Sequence, residues 1–312
     1  LTVTTGSAGI TVGNVGSGAN GVLGSVSLTS GTAMTLNAVN ATGTINVATL
    51  TGNLTIAGNI STTNTGNSAI TLNAGQSTAA GTSTGGNLII SGTRSITTGT
   101  GGRATLYTGS ISASTGLTAL IGSGSGNFRY NSDEATSGYA TALSSGIYAI
   151  YRERPTLTIT ADNKSMTYGD ATPTLTATIT GNQNGDTNAQ ILSGGASLAI
   201  TSSGTSTSGN YIFGSHTIGA SGATNGLGYN ISYTSGTLSV SKRSATVSGI
   251  TAANKVYDAS RTATVSVSGA TFSNLMSGDL ITISSTGLFD TKNVGDGKTV
   301  TLTSTYGGAD LN

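Results

Sequence analysis

The strongest constraint on this chain is a series of short apolar steps set in a stretch that carries almost no charge. Between Leu1 and Phe128 the only charged side chains are Arg94 and Arg103, and no aromatic residue precedes Tyr107. Each step places two apolar residues two positions apart, a period typical of β-strands with one buried face. The steps are Val26-Ser27-Leu28, Met34-Thr35-Leu36, Ile45-Asn46-Val47, Leu54-Thr55-Ile56, Ile70-Thr71-Leu72, Leu88-Ile89-Ile90 and Ala104-Thr105-Leu106.

Each step is too short to bury a face by itself, so the pattern predicts stacked coils. Successive coils recur every ~16 to 20 residues, which is typical of a β-solenoid. Gly, Asn and Ser between the steps suit the corners, where the backbone often needs a positive φ. The alternative is a disordered Gly/Ser/Thr linker, which would not keep placing apolar residues in pairs. We therefore expect these inward side chains: Leu54, Ile56, Ile70, Leu72, Leu88, Ile90 and Leu106.

Composition excludes several classes of function. The chain has 312 residues, a net charge of +1 and no cysteine. This balance gives no footprint for nucleic acid, and no apolar run approaches the length of a membrane span. Absence of cysteine and low charge suit a secreted chain better than a cytosolic one. Leu1 lies in a strand-like pattern without a signal peptide, so we expect this to be a piece of a longer polypeptide.

Titratable residues are too sparse for the chemistry of enzymatic β-helices. Such enzymes need clustered acidic or basic groups on one face, and here no Asp, Glu, His or Lys precedes Asp133. The single histidine, His216, lacks the context of a nucleophilic triad and is expected at a strand edge or turn. The aspartates beside Gly, Asn or Ser could bind calcium, but their spacing favours turn residues. We expect no catalytic residue, no cofactor and no bound metal.

The composition changes at Phe128 and again at Pro155. An aromatic stretch between these points contains Phe128, Tyr130, Tyr139, Tyr148 and Tyr151. One interpretation is a ligand surface on which sugars stack. The other, which we favour, is a cap, because the last coil of a solenoid exposes an apolar end and an unpaired edge.

Two sections with similar patterns follow Pro155. Each opens with a strand-like step and then brings a lysine, a tyrosine and an aspartate close together: Lys164, Tyr168 and Asp170 in the first section, Lys255, Tyr257 and Asp258 in the second. Short strands separated by Gly/Asn/Ser turns predict small antiparallel β modules. We therefore divide the chain into a solenoid (1–127), a cap and linker (128–154) and two β modules (155–242 and 243–312).

Several motifs resemble known families. The coils Gly52-Asn53-Leu54-Thr55-Ile56 and Gly86-Asn87-Leu88-Ile89-Ile90, with the aromatic segments Gly126–Tyr130 and Ile147–Arg152, resemble filamentous haemagglutinin-like exoproteins of two-partner secretion. Thr167-Tyr168-Gly169-Asp170, followed by Pro173, resembles the MBG module. Ala253–Asp258, with Asp290–Gly295, resembles the YDG module, although Ala259 replaces its usual glycine.

The resemblance implies an all-β fold, a right-handed parallel β-helix followed by two small antiparallel β modules in tandem. It implies a secreted, rod-like adhesin or matrix protein at the bacterial cell surface. Expected partners are the outer-membrane transporter of two-partner secretion, surface or matrix glycans and proteins, and other copies of the chain, but not nucleic acid. It also implies that the YDG-like module lacks a closing strand.

Two alternatives remain open for the function, and a modification is also predicted. A structural filament subunit would be completed by strand addition between protomers. An ice-binding solenoid would need paired threonines at one position on consecutive coils, and the outward residues vary too much to favour it.

Asn-x-Ser/Thr sequons are candidate glycosylation sites at Asn40, Asn53, Asn59, Asn163 and Asn230.

Overall fold

The computed structural model describes residues 1–16, 21–201 and 204–311, which fold almost entirely into β-strands. Up to residue 151 the elements are β1 (Thr2–Thr4), β2 (Ile10–Val12), β3 (Val26–Ser30), β4 (Met34–Leu36), β5 (Val39–Ala41), β6 (Ile45–Thr49), β7 (Leu54–Ile56), β8 (Ile60–Thr62), β9 (Ile70–Ala74), β10 (Leu88–Ile90), β11 (Ile96–Thr97), β12 (Arg103–Thr108), α1 (Leu117–Ile121), β13 (Phe128–Arg129) and β14 (Gly146–Tyr151).

The remaining elements differ more in length and are less regular in their pairing. They are β15 (Thr156–Ala161), β16 (Lys164–Thr167), β17 (Ala177–Thr180), α2 (Asn188–Ile191), β18 (Leu192–Gly194), β19 (Ser197–Ile200), β20 (Gly214–Ser221), β21 (Thr224–Asn225), β22 (Asn230–Thr234), β23 (Gly236–Ser241), β24 (Thr246–Ser248), β25 (Thr251–Ala252), β26 (Thr262–Ala263), β27 (Val265–Ser266), β28 (Thr271–Ser273), β29 (Thr282–Phe289) and β30 (Val300–Gly307).

The chain forms two compact units that do not follow the sequence linearly. The first comprises Leu1–Ile159, Thr178–Ser197 and Ser221–Tyr233, and the second comprises Thr160–Ala177, Leu198–Ala220 and Thr234–Asn312. Each unit has its own apolar cluster. The boundaries after residues 127, 154 and 242, which composition predicts, describe modules along the sequence and not these two units. They stay a prediction.

Parallel sheets build most of the first unit. Their strand orders are β1-β3-β6-β9-β12-β14-β13, β10-β7-β4-β2 and β11-β8-β5. From β3 to β11 the chain visits the three sheets in rotation, so each turn of chain adds one strand to every sheet. The third sheet was missed in the sequence, because its strands carry only one large apolar side chain each, as in Val39-Asn40-Ala41 and Ile60-Ser61-Thr62.

Paired residues show how the apolar steps stack. Ile45 pairs with Val26 on one side and Ile70 on the other, in parallel register. The prediction of burial is confirmed for all seven named residues, Leu54, Ile56, Ile70, Leu72, Leu88, Ile90 and Leu106. The predicted uniform spacing of the coils is wrong. In the first sheet, Ile45 follows its partner Val26 by 19 residues. Ile70 follows Ile45 by 25 residues, and Ala104 follows Ile70 by 34. Loops inserted at the corners absorb the difference without disturbing the register.

The second unit contains a mixed sheet of order β16-β23-β20-β19. Its central strand β23 pairs antiparallel with β20 and parallel with β16, so the expectation of a purely antiparallel module is wrong here. Leu238 and Val240 of β23 are buried together with Ile218 of β20. Further along, β26, β29 and β30 form an antiparallel sheet, while β24 pairs with β28 and β25 with β27.

Replacing one stacked residue tests this architecture. Leu72→Ala should lower the free energy of unfolding of the first unit by about 2–5 kcal/mol, because a fully buried leucine leaves a cavity. Thr71→Ala, its outward neighbour, should change it by no more than about 0.5 kcal/mol. Urea unfolding followed by far-UV circular dichroism measures both. Equal losses in the two variants would contradict the stacked core.

Candidate functional site

The aromatic stretch lies at the end of the first parallel sheet. Phe128 and Tyr130 accompany β13, while Tyr148 and Tyr151 belong to β14, and all four side chains are buried. Tyr139 is only half-buried. Buried rings are not available for a sugar to stack on, so the placement favours the cap interpretation over a ligand surface.

Ring contacts join the aromatic stretch to the rest of the first unit. Tyr130 stacks on Tyr151 with centroids 5.6 Å apart, and Tyr229 meets Tyr130 edge-on at 4.7 Å. Buried Arg129 donates hydrogen bonds to the carbonyls of Gly126 and Thr141, and its guanidinium lies 5.4 Å from the ring of Tyr148. These contacts hold the irregular segment that connects β13 to β14.

A buried carboxylate that sequence reasoning missed completes this cluster. Asp186 Oδ2 accepts hydrogen bonds from the hydroxyls of Tyr130 (2.7 Å) and Tyr229 (3.0 Å). Its other oxygen, Oδ1, is buried and has no partner among the described residues. Burial holds the pKa of Asp186 above its ordinary value, although both tyrosine hydrogen bonds and nearby Arg129 act in the opposite direction. The sequence gives no signal for this cluster, because the tyrosine partners of Asp186 lie far away in the sequence.

The raised pKa of Asp186 predicts a pH dependence of stability. Because the folded state binds this proton more tightly than the unfolded state, the free energy of unfolding should fall as pH rises from about 4 through the folded-state pKa. Asp186→Asn keeps an acceptor oxygen but cannot ionise, so it should remove this part of the slope. Unfolding measured over a pH series in both proteins tests the prediction, and parallel profiles would contradict it.

Three of the five sequon asparagines belong to the parallel coils. Their side-chain oxygens accept hydrogen bonds from the neighbouring coil: Asn53 from the Asn87 amide (3.0 Å), Asn59 from the Ser95 amide (3.1 Å) and Asn40 from the Ser61 hydroxyl (3.1 Å). Asn163 accepts from the Thr237 amide at 2.8 Å, and exposed Asn230 begins β22. Four of the sequon side chains therefore have a structural role, and their glycosylation stays a prediction.

Outward threonines form one row on the second parallel sheet. Thr11 pairs with Thr35 and Thr35 with Thr55, but Ile89 takes the next place. A single interrupted row differs from the paired rows that the ice-binding alternative requires. In the first sheet the corresponding outward residues are Ser27, Asn46 and Thr71, and Thr105 at the next place is buried. The coils thus present uncharged hydroxyl and amide groups rather than a threonine array.

Tyr168-Gly169-Asp170 forms a clasp within the second unit. The Tyr168 hydroxyl donates to Asp279 Oδ2 at 2.6 Å, and Arg243 binds Asp170 Oδ1 at 2.6 Å. Gly169 has a φ of +81°, and a Cβ there would lie 2.5 Å from the sulfur of Met276. Gly169 therefore meets two requirements: it adopts the positive φ, and it leaves room for the flexible Met276 side chain, which would have to move to admit a Cβ.

Substituting this glycine separates the two requirements. Gly169→Ala should lower the free energy of unfolding of the second unit by about 1–3 kcal/mol. Gly209→Ala is a matched control, because Gly209 has a φ of +82° but nothing within 4 Å of its added Cβ. It should cost about 1 kcal/mol, for the backbone angle alone. Thermal unfolding of both variants measures the difference, and equal losses would rule out a contribution from Met276.

A cleft of about 250 Å³ lies beside the clasp, within the second unit. Phe213 and Tyr306 on its walls expose aromatic surface, and Lys242 Nζ lies 4.8 Å from the Phe213 ring. Exposed aromatic faces next to hydrogen-bonding groups can bind sugars or peptides. Sequence reasoning missed this surface, because its residues lie far apart in the sequence, on several different strands and loops.

The second lysine–tyrosine–aspartate group does not form such a clasp. Lys255 Nζ binds Asp258 Oδ1 at 2.7 Å, and Lys298 Nζ binds Asp290 Oδ1 at 3.0 Å. The Tyr257 hydroxyl has no partner in the described part of the chain and is largely exposed. Both ion pairs are partly exposed, so they contribute little to stability.

Within residues 1–16, 21–201 and 204–311, no group of three or more His, Cys, Asp or Glu is placed to hold a metal ion. His216 lies in the interior strand β20 rather than at a strand edge or turn, and its Nε2 is 2.9 Å from the Ile212 carbonyl oxygen. None of the described helices has the length and apolar character needed to cross a membrane.

Comparison with known families agrees with the motifs of the C-terminal region. Residues 157–239 match the model of the MBG domain (YGX type), and residues 241–312 match that of the YDG domain. The resemblance to these two modules is thereby confirmed, and the pair fits a surface-associated, adhesin-like protein. No curated protein and no solved structure matches the chain.

Proposed function

We propose that this chain is part of a secreted bacterial surface protein, a fibrous adhesin or matrix protein of the filamentous haemagglutinin-like, two-partner-secretion class. The observation that supports it best is the MBG and YDG pair following a long region of parallel β-strands. In this proposal an outer-membrane transporter exports the chain, which then stays in the extracellular space or at the cell surface.

The proposal includes a right-handed parallel β-helix for the N-terminal region. Its support is the rotation of the chain through three parallel sheets, with apolar residues stacked from coil to coil. Loops of different length project from the corners, so the coils can vary in sequence while their core stays regular.

Binding in this proposal arises from many weak contacts to glycans or proteins of a surface or matrix. Uncharged hydroxyl and amide rows on the coils and the aromatic cleft at Phe213 and Tyr306 are the surfaces that would make them. Weak contacts gain strength when many copies bind at once, by factors of about 10² to 10⁴.

We also propose that the chain has no enzymatic activity. Its first carboxylates, Asp133 and Glu134, accept hydrogen bonds from the Ala80 amide and Asn73.

Multivalent display tests the adhesive function. Beads carrying many copies of the chain should be retained on surfaces coated with mucin at least about tenfold better than albumin-coated beads. The soluble chain should show little retention and should compete only at high concentration. Retention of the two kinds of bead to the same extent, on mucin and on fibronectin alike, would contradict adhesion.

A filament subunit is the second candidate, and one observation favours it. In the described part of the chain, β30 pairs only with β29, so its other edge can accept a strand from another protomer. Concentration-dependent growth of polymers in analytical ultracentrifugation, without retention of the beads, would favour the filament over the adhesin.

A further inference from the structure

The first and last strands of the MBG domain decide how the domain responds to a pull along the chain. In the sequence the domain lies between the parallel coils and the YDG domain, so tension applied on both of its flanks must pass through it. The chain enters the domain through β15 and β16 and leaves it through β23. Its resistance to tension therefore depends on how β16 is joined to β23.

Strands β16 and β23 are paired in parallel. Lys164 lies opposite Leu238 at one end of the pair, and Thr167 lies opposite Ser241 at the other. Tension draws β16 towards its N-terminal end and β23 towards its C-terminal end, so the two strands are pulled along each other. The load is then shared by the evenly spaced hydrogen bonds of the parallel ladder, which must break together. An antiparallel pair at this place would instead open one bond at a time.

Further hydrogen bonds close the ladder at both ends. Before β16, the side-chain oxygen Oδ1 of Asn163 accepts a hydrogen bond from the Thr237 amide at 2.8 Å. After β16, the Tyr168 amide donates a hydrogen bond to the Ser241 carbonyl at 2.9 Å. The joint between the two strands therefore extends beyond the ladder in both directions.

Arg243 holds the point at which the load leaves the domain, two residues after the end of β23. Its Nε donates a hydrogen bond to the Tyr168 carbonyl at 2.7 Å, and its Nη2 binds Asp170 Oδ1 at 2.6 Å. Both partners belong to the turn that follows β16. Because hydrogen bonds from a charged donor are about twice as strong as neutral ones, this end of the joint is reinforced.

The ladder is also shielded by apolar side chains on one face. Leu238 and Val240 of β23 are buried in the apolar cluster of the second unit, and Met166 of β16 packs against it. The other edge of β23 pairs antiparallel with β20, from Gly214 to Ile218. Water therefore has little access to the hydrogen bonds of β23, and the strand is fixed from both sides.

We propose that β16 and β23 form a mechanical clamp, which keeps the MBG domain folded when the chain is pulled from both of its flanks. Under tension the lifetime of a fold depends on the barrier to unfolding rather than on its equilibrium stability. The parallel pair, with Asn163 and Arg243 at its ends, supplies a barrier at which many bonds must break together. The clamp goes beyond adhesion and does not depend on it, because any pull on both flanks loads it.

Two pairs of attachment points in the full chain test the direction of loading. The sequence has no cysteine, so introduced cysteines are the only thiols to which DNA handles can be attached. Arg154→Cys with Ser244→Cys, the flanking pair, pulls β16 and β23 along each other. Thr172→Cys with Ser244→Cys, the same-end pair, pulls both strands from their C-terminal ends. All three positions are exposed.

Optical tweezers at constant force measure the lifetime of the folded domain. The lifetime should be at least about tenfold longer in the flanking pair than in the same-end pair, because several hydrogen bonds rather than one must break at once. Equal lifetimes, or a longer lifetime in the same-end pair, would overturn the proposal.

Two neighbouring basic residues provide matched variants in the flanking pair. Arg243→Ala removes both bonds to the turn after β16, so it should shorten the lifetime at least about tenfold. Lys242→Ala also removes a positive charge, but Lys242 Nζ lies over the Phe213 ring, so the lifetime should change by less than about threefold. Equal shortening in the two variants would contradict the clamp.

Asn163→Ala separates the clamp from ordinary stability. In the flanking pair it should shorten the lifetime about threefold or more, because the hydrogen bond to Thr237 shares the load. In the same-end pair it should have little effect, since that bond breaks last. Shortening by the same factor in both pairs would overturn the proposal. Bead retention plays no part in these measurements, so the clamp and the adhesive function can fail separately.

Discussion

Parallel register between coils is the constraint on which the first unit depends. Ile45 lies between Val26 and Ile70, and the same correspondence holds for the residues two positions further along each strand. A shift of one residue would turn Ser27, Asn46 and Thr71 inward together and expose the stacked core. Loops at the corners can change in length without disturbing this register, which explains why coil spacing varies along the chain while the buried positions stay aligned.

The second unit shows the same dependence on a partner strand in another form. In the MBG domain, β23 brings apolar side chains to a sheet whose other strands are mostly polar. The YDG domain has comparable strands and turns, yet among its described residues Ala263 is the only buried apolar side chain. In the MBG domain, a strand placed between two others therefore supplies the apolar side chains that short hairpins alone do not bury.

Local patterns made much of the fold predictable. The period-two steps predicted the strands of two parallel sheets and the inward side chains at seven positions, because a strand with one buried face alternates apolar and polar residues. The third sheet escaped, since Ala41 and Thr62 give its inward positions no strong apolar signal. Contacts between residues far apart in the sequence could not be predicted either. Asp186 accepts hydrogen bonds from Tyr130 and Tyr229, and Arg152 donates one to the Gly86 carbonyl, and no sequence motif links these residues.

The lack of charge in the coils also determines where a trypsin-like protease can cleave this chain. A trypsin-like enzyme needs lysine or arginine, and the first such residue is Arg94. The first 93 residues would therefore survive that enzyme whether folded or not, and limited tryptic digestion cannot report on their folding. Resistance there is a property of the side chains, whereas beyond Arg94 it depends on how well loops and strand ends are protected.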